Sequence, residues 1–193
     1  MIITETLFLK NMLSRSCILL IELALKDKNS VKVLNISLGE ITVEYDNTIV
    51  SREDLQNWLS ELGFKIITDP NLEIVEKTKI AAIELIHKSF NTNSLIRNSE
   101  YISEKLQIPY DKISRTFSKT TGIPLEKYII LLKIEKAKEM LISNEYSISE
   151  ISYLMDYSSC QYFSNQFKKI VGVTISQFKE NPNNYRIPLE DII

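Results

Sequence analysis

Apolar residues along the chain fall into two regimes. In the first third, short runs alternate at period two: Val31 and Val33 in "VKVLNIS", with Leu34 and Ile36 as further apolar positions, then Ile41, Val43 and Tyr45 in "EITVEYD". Such alternation predicts strands with one buried face. The "SLGE" between them, with Gly39, predicts a hairpin turn. "ITETLFL" (residues 3–9) and "FKIIT" (64–68) read as two further extended runs. Between these lie two helical patterns. Residues 15–27 combine helix formers with one apolar face, and "SREDLQNWLSELG" opens on Ser51 as a cap and closes at Gly63. Leu55, Trp58, Leu59 and Leu62 make the buried stripe of that second helix. The predicted order is β-α-β-β-α-β, the split βαβ arrangement of ferredoxin-like domains.

After Asp69 and Pro70 the strand signals stop. Ile74, Ile80, Ile83, Leu85 and Ile86 in a charged background predict a long joining helix over 71–90. From Ser99 to Glu180 the period is helical throughout, broken near Pro109, Gly122, Asn144 and Gly172, and about seven helices are expected from residue 71 onward. The expected fold class is α+β, with a ferredoxin-like domain at 1–69, a joining helix at 70–98, an all-helical domain of two helix-turn-helix units at 99–180 and a tail at 181–193.

The helical half repeats itself. Sliding by fifty residues pairs Ser114 with Ser164, Phe117 with Phe167, Lys119 with Lys169, Gly122 with Gly172, and Tyr128 with Phe178. Upstream, "YIS" at 101–103 meets "EIS" at 150–152, the second copy being one residue longer. Each copy reads as a short helix, a tight turn and a second helix that stops at glycine. In the second copy Ser147 and Glu150 have capping-box spacing, Ile148, Ile151 and Leu154 face inward, "MDY" makes the turn, and Tyr162, Phe163 and Phe167 are available to the core. This is the layout of a helix-turn-helix, whose second helix can enter a major groove. The segment between the copies, "IPLEKYIILLKIEKAKEMLIS", predicts one long helix that would fix the spacing of two such units.

Residues 99–180 resemble the DNA-binding domain of AraC-family transcription regulators. The residues that carry the likeness are Ile148, Glu150, Ile151, Ser152, Asp156, Tyr157, Tyr162, Phe163, Phe167, Lys168, Lys169, Gly172, Thr174 and Phe178. Ser152 departs from the family's alanine, Asp156 from its glycine and Thr174 from its proline. Aspartate is among the few residues that visit the left-handed conformation a glycine would take there. The resemblance implies that Asp111, Ser114 and Arg115 of the first recognition helix, and Gln161, Ser164 and Asn165 of the second, face DNA bases. Arginine pairs well with guanine, and glutamine and asparagine with adenine, whereas Asp111 would accept from cytosine or orient Arg115. Lys112, Lys119, Lys168 and Lys169 would contact phosphates, which set register without reading sequence. The implied partner is double-stranded DNA, with RNA polymerase and a second copy of the chain, joined through the first domain, as further candidates.

Residues 3–68 resemble the heavy-metal-associated domains of copper chaperones and metal-transporting ATPases. "LKNMLSRSC" lies where that family carries a loop with two cysteines, and "VEYD" and "LGF" also fit. Here Ser14 stands at the first cysteine position, only Cys17 remains at the second, and Asn11 replaces a glycine. A soft ion such as Cu(I) needs thiolate or thioether ligands. A lone thiol is a poor site, so Cys17 would need Met12 or a second copy's thiol to hold a metal. No cofactor is expected, and a metal- or thiol-responsive module acting through Cys17 is the alternative reading. A sensing or docking role for this domain is the first.

Composition narrows the remaining classes. The chain has 193 residues, 44% apolar, a net charge of −2 and few glycines or prolines, which fits a folded chain rather than a disordered one. Residues 99–193 carry twelve Lys or Arg and twelve Asp or Glu, so non-specific DNA affinity should be modest. Two cysteines cannot form a disulfide framework and fit a reducing compartment. The first ten residues lack the pattern of a signal peptide, and "CILLI" is too short to cross a bilayer, so a cytoplasmic location without membrane contact is expected. His87 is the single histidine and sits in a plain helical pattern. No nucleotide-cradling glycine loop or nucleophile with a neighbouring base is visible, so enzyme activity is not expected.

Overall fold

The computed structural model describes residues 1–28, 30–88 and 98–193. It divides into two compact units, Met1–Ile80 with Asp111–Thr121, and Ala81–Tyr110 with Gly122–Ile193. The last two positions of the helix expected over 71–90, and the joining segment through residue 97, lie outside the described residues.

In the first unit the order is β1 (Ile2–Lys10), α1 (Arg15–Lys26), β2 (Val31–Ser37), β3 (Glu40–Asp46), α2 (Arg52–Glu61), β4 (Lys65–Ile67) and the start of α3 (Pro70–Lys88). The four strands form one antiparallel sheet in the order β2-β3-β1-β4. Register puts Leu7 opposite Ile41 and Glu5 opposite Val43. Because side chains alternate across a strand, Leu7, Leu9, Ile41, Val43 and Tyr45 share the face that packs with Ile21 and Leu25 of α1 and Leu55 and Leu59 of α2. The opposite face carries Thr6 and Thr42, whose hydroxyls meet at 2.9 Å. The two helical patterns therefore bury the same sheet face.

Local chemistry sets the boundaries. At α2 the Ser51 hydroxyl accepts from the Asp54 amide at 3.1 Å, and the Asp54 carboxylate accepts from the Ser51 amide at 2.9 Å. This reciprocal cap satisfies two amides that the first helical turn leaves free. Gly39 turns the β2–β3 hairpin at φ 84, and a Cβ there would lie 2.8 Å from Cδ1 of Ile80. Close approach of α3 and a left-handed backbone both require glycine at that position.

In the second unit α3 ends at Lys88, and α4 (Asn98–Leu106), α6 (Leu125–Ser143), α7 (Ile148–Leu154), α8 (Cys160–Val171) and α9 (Ile175–Glu180) follow; α5 (Tyr110–Thr121) lies almost wholly in the first. The described α-helices from residue 70 onward thus number seven, in line with the roughly seven expected. The core of the second unit is built on α6, from Ile134, Ala137, Met140 and Leu141, with Ile151, Phe163, Phe167 and Phe178. Phe167 meets Phe163 and Phe178 edge-on, at centroid distances of 6.0 and 5.5 Å.

The tail is more ordered than its composition suggests. Residues Pro182–Tyr185 and Leu189–Asp191 form two 3-10 turns. Tyr185 packs its ring 6.2 Å from Phe178. Its carbonyl accepts from the Lys138 ammonium, which is itself paired with Glu135, and the Ile187 amide donates to Glu135 at 3.4 Å. Lys138 and Glu135 are both buried. A buried ion pair is costly unless its remaining donors and acceptors are satisfied, and the tail backbone supplies those partners.

Candidate nucleic-acid interface

The α7–turn–α8 segment starts from a cap. The Ser147 hydroxyl accepts from the Glu150 amide at 3.2 Å, and the Glu150 carboxylate accepts from the Ser147 amide at 2.7 Å, which holds the Glu150 carboxyl below its ordinary range. Helix α7 stops as Asp156 turns to φ 60, the left-handed conformation expected at that position. The Tyr157 amide then reaches back to the Ser152 carbonyl at 3.0 Å. Ser152 is 3% exposed, so a small residue is required there. The Ser159 hydroxyl caps α8 by accepting from the Tyr162 amide at 3.1 Å. Gly172 ends α8 at φ 88.

The first copy uses the same devices. Gln107, forty-nine residues before Asp156, has φ 55, and Gly122 has φ 78. The Ile108 amide reaches the Ser103 carbonyl at 3.3 Å, as Tyr157 does to Ser152. Neither turn residue is a glycine, and both adopt a backbone that most side chains avoid.

Burial along α5 and α8 follows one template. In α5, Ile113 and Phe117 are fully buried, Ser114 is half-buried, and Asp111, Lys112 and Arg115 are exposed. In α8, Phe163 and Phe167 are fully buried, Ser164 is half-buried, and Gln161, Tyr162 and Asn165 are exposed. On each helix the expected base readers therefore share one accessible stripe, at spacing i, i+3, i+4. Lys119, Lys168 and Lys169 are exposed as well. Arg115 Nε donates to the Asp111 carbonyl at 3.0 Å, so it is the backbone of Asp111 that holds the guanidinium here. Gln161 Nε2 donates to Asn165 Oδ1 at 3.1 Å, pairing the two amides side by side.

Two features depart from expectation. Tyr162, expected as a core candidate, is 55% exposed, because a residue one step from Phe163 points about 100° away around the helix. Tyr153 on α7 is 76% exposed. Both present aromatic hydroxyls on the helix-turn-helix surface, and Tyr153 carries no signal in the periodicity. Beneath the turn, Lys133 of α6 lies 3.7 Å from Asp156 and over the Tyr157 ring. Burial lowers the Lys133 pKa, with Asp156 opposing the shift. Burial, with a smaller contribution from Tyr162, raises that of Tyr157 to about 12.

The loop likened to a metal site has different chemistry. Ser14 Oγ lies 3.4 Å from Cys17 Sγ, and the thiol points toward the Asn11 carbonyl at 3.9 Å. Met12, one of the two groups that Cys17 would need in order to hold a metal, is fully buried in the same apolar core as Leu9 and Ile21. Among the described residues no three His, Cys, Asp or Glu side chains gather into a group that could hold a metal. His87 has its pKa lowered by burial and by Lys136. No described helix is long and apolar enough to cross a membrane.

The family model described as "Helix-turn-helix domain" matches residues 102–181. The chain is similar to the xylose operon regulatory protein of Escherichia coli K12, 27% identical over 128 residues, which is 62% of this chain and 33% of that protein. It is also 31% identical over 109 residues to the F1 operon positive regulatory protein of Yersinia pestis, covering 49% of this chain and 35% of the relative. The C-terminal domain of AraT, a response regulator from Geobacillus stearothermophilus, aligns at 28% identity and a TM-score of 0.45, over 62% of this chain and 89% of that one. The chain thus spans about a third of the length of these two curated relatives. Residues 102–181 thus match a helix-turn-helix family model, and both curated relatives are regulatory proteins of operons.

Proposed function

We propose that this chain is a sequence-specific regulator whose two recognition helices, α5 and α8, read successive major grooves of one duplex. The observation that carries the reading is the burial template repeated fifty residues apart, with Asp111, Ser114 and Arg115 in one copy and Gln161, Ser164 and Asn165 in the other. Adjacent major-groove faces lie about 34 Å apart, and duplicating the unit on one chain lets a single molecule engage both. Lys112, Lys119, Lys168 and Lys169 contact phosphates and set the register. Arg115 gives up its backbone bond for a guanine edge. Gln161 and Asn165 exchange their mutual bond for adenine edges.

We read residues 1–69 as a ferredoxin-like domain with a sensing or docking role. The strand order β2-β3-β1-β4 and the element order support that fold. Residues 70–98 join it to the DNA-binding domain at 99–180. RNA polymerase and a second copy of the chain are the further partners in this reading, in a bacterial cytoplasm.

Selection of bound sequences from a random duplex library tests it. Two short half-sites with centres about one helical turn apart are expected. Enrichment of no motif at low salt overturns the reading.

A further inference from the structure

Helix α6, the end of α8 and the tail enclose a cavity of about 240 Å³. Its walls are apolar: Leu131 on α6, Ile170 and Val171 on the last turn of α8, and Ile192 after the second 3-10 turn. All four side chains are half-buried. The ionic groups on its lining are Glu135, Lys138 and Arg186. Apolar walls with a few convergent polar groups are the usual make-up of a small-molecule site. The base-reading and phosphate residues proposed above are not among those that line it.

Size and charge define the occupant. A dry apolar cavity of about 150 Å³ holds a benzene ring, so this larger one admits a body of that size with a polar head. One carboxylate, Glu135, faces two cations, Lys138 and Arg186, which leaves a positive charge in surplus. Lys138 carries three N–H groups. Among the described residues its acceptors are Glu135 and the Tyr185 carbonyl, so a third N–H remains for an occupant. Lys138 is 2% exposed, and a hydrogen bond made away from water is the stronger for it. Arg186 approaches Glu135 only at 4.0 Å, and its side chain is 45% exposed. A guanidinium has five donors, so it can close on a second acid from the rim and keep that contact. A neutral occupant leaves the surplus charge unmatched, and a cationic one adds to it.

We infer that this cavity binds a compact apolar monocarboxylate, its body the size of one small ring, with the carboxylate on Lys138 and Arg186 and the body against Ile170 and Val171, and that the occupant acts on the second recognition helix. Ile170 and Val171 directly follow Lys168 and Lys169 on α8, and Gly172 ends the helix. An occupant packed on that last turn favours one placement of it. A ligand shifts DNA affinity by the difference in its own affinity for the two placements. The site itself is independent of DNA recognition, whereas its effect through α8 rests on the regulator reading proposed above.

The test is isothermal titration calorimetry on the full chain. The probes are cyclohexanecarboxylate and 4-methylpentanoate, each beside its neutral amide. At least one acid should saturate a single site per chain with a Kd of about 1 mM or tighter, and its amide should bind at least about tenfold more weakly. Arg186→Gln changes an exposed residue, and it should weaken the acid about tenfold while leaving the amide unmoved. Ile170→Trp, which fills the cavity, should abolish binding by both, and an unfolding curve is taken beside it. If that variant fails to fold, Arg186→Gln still decides the matter. No saturable binding by either acid overturns the inference. So does an amide that binds as tightly as its acid, or an acid whose affinity Arg186→Gln leaves unchanged. Fluorescence anisotropy of a selected duplex, with and without saturating acid, should show a shift in duplex affinity of about fivefold or more, and the duplex should shift the Kd of the acid by the same factor. Acid binding that leaves duplex affinity unchanged overturns the effect through α8. A chain that binds the acid and selects no duplex counts against the regulator reading alone.

Discussion

Helices α5 and α8 bury the same positions and expose different chemistry. Ile113 and Phe117 in one, and Phe163 and Phe167 in the other, occupy equivalent fully buried sites. The exposed stripes diverge. Asp111, Lys112 and Arg115 are charged, and Gln161, Tyr162 and Asn165 are neutral. The two copies share what packs and differ in what is exposed. The physical reason is that a core position is constrained on all sides by its neighbours, whereas a groove-facing position is constrained only by the base it meets. The α5 copy should therefore read through charged groups and the α8 copy through amides.

The comparison breaks most visibly at the shared core. Phe167→Ala should destabilise the carboxy-terminal half by about 3–5 kcal/mol, because Phe167 is fully buried and meets two other rings. Denaturant unfolding measures this, and Phe117→Ala should cost a similar amount if the two copies are equivalent. The next effect is on reading. Arg115→Ala and Asn165→Ala should each lose about 1–3 kcal/mol of discrimination at one base position, with little change in unfolding midpoint. Lys112→Ala should weaken binding to all sequences alike and flatten the salt slope by roughly one phosphate contact, whereas Tyr162→Phe, at the equivalent position, should leave that slope unchanged. Duplex titrations at several salt concentrations separate the two.

The smallest effects lie at the cap. Ser147→Ala should cost about 1 kcal/mol, read from the same unfolding curves. The Glu150 carboxyl is held below its ordinary range by the Ser147 amide and hydroxyl. A carboxylate with a depressed folded pKa stabilises the fold above its unfolded value and loses that contribution as pH falls through the lowered folded one. Glu150→Gln should therefore narrow the difference in melting temperature between neutral and acid pH, and thermal melts at both pH values check the sign.

Much of this was legible because periodicity reports burial directly. The alternation in β3 and the stripe of α2 predict the buried sheet face and the helix that covers it, and the fifty-residue repeat predicts the matched burial of α5 and α8. The left-handed turn at Asp156 was legible through its departure from glycine. Other features depend on contacts that have no local signature. The tail "NPNNYRIPLEDII" has no period, and it is held by backbone atoms of Tyr185 and Ile187 on a buried Lys138–Glu135 pair. In sequence that pair looks like surface charge on a helix. Tyr162 was misplaced because an aromatic beside Phe163 suggests core, while the helical step turns it outward. Met12 looked available to Cys17 by proximity along the chain, yet the core takes it.

The central claim is that each recognition helix reads its own half-site. The most direct measurement takes the duplex selected by wild type, substitutes every base pair of both half-sites in turn, and compares affinities for wild type, Arg115→Ala and Asn165→Ala. The account predicts that Arg115→Ala loses discrimination in one half-site only and Asn165→Ala in the other only. Loss by both variants at the same base pairs, or by neither at any, would contradict it.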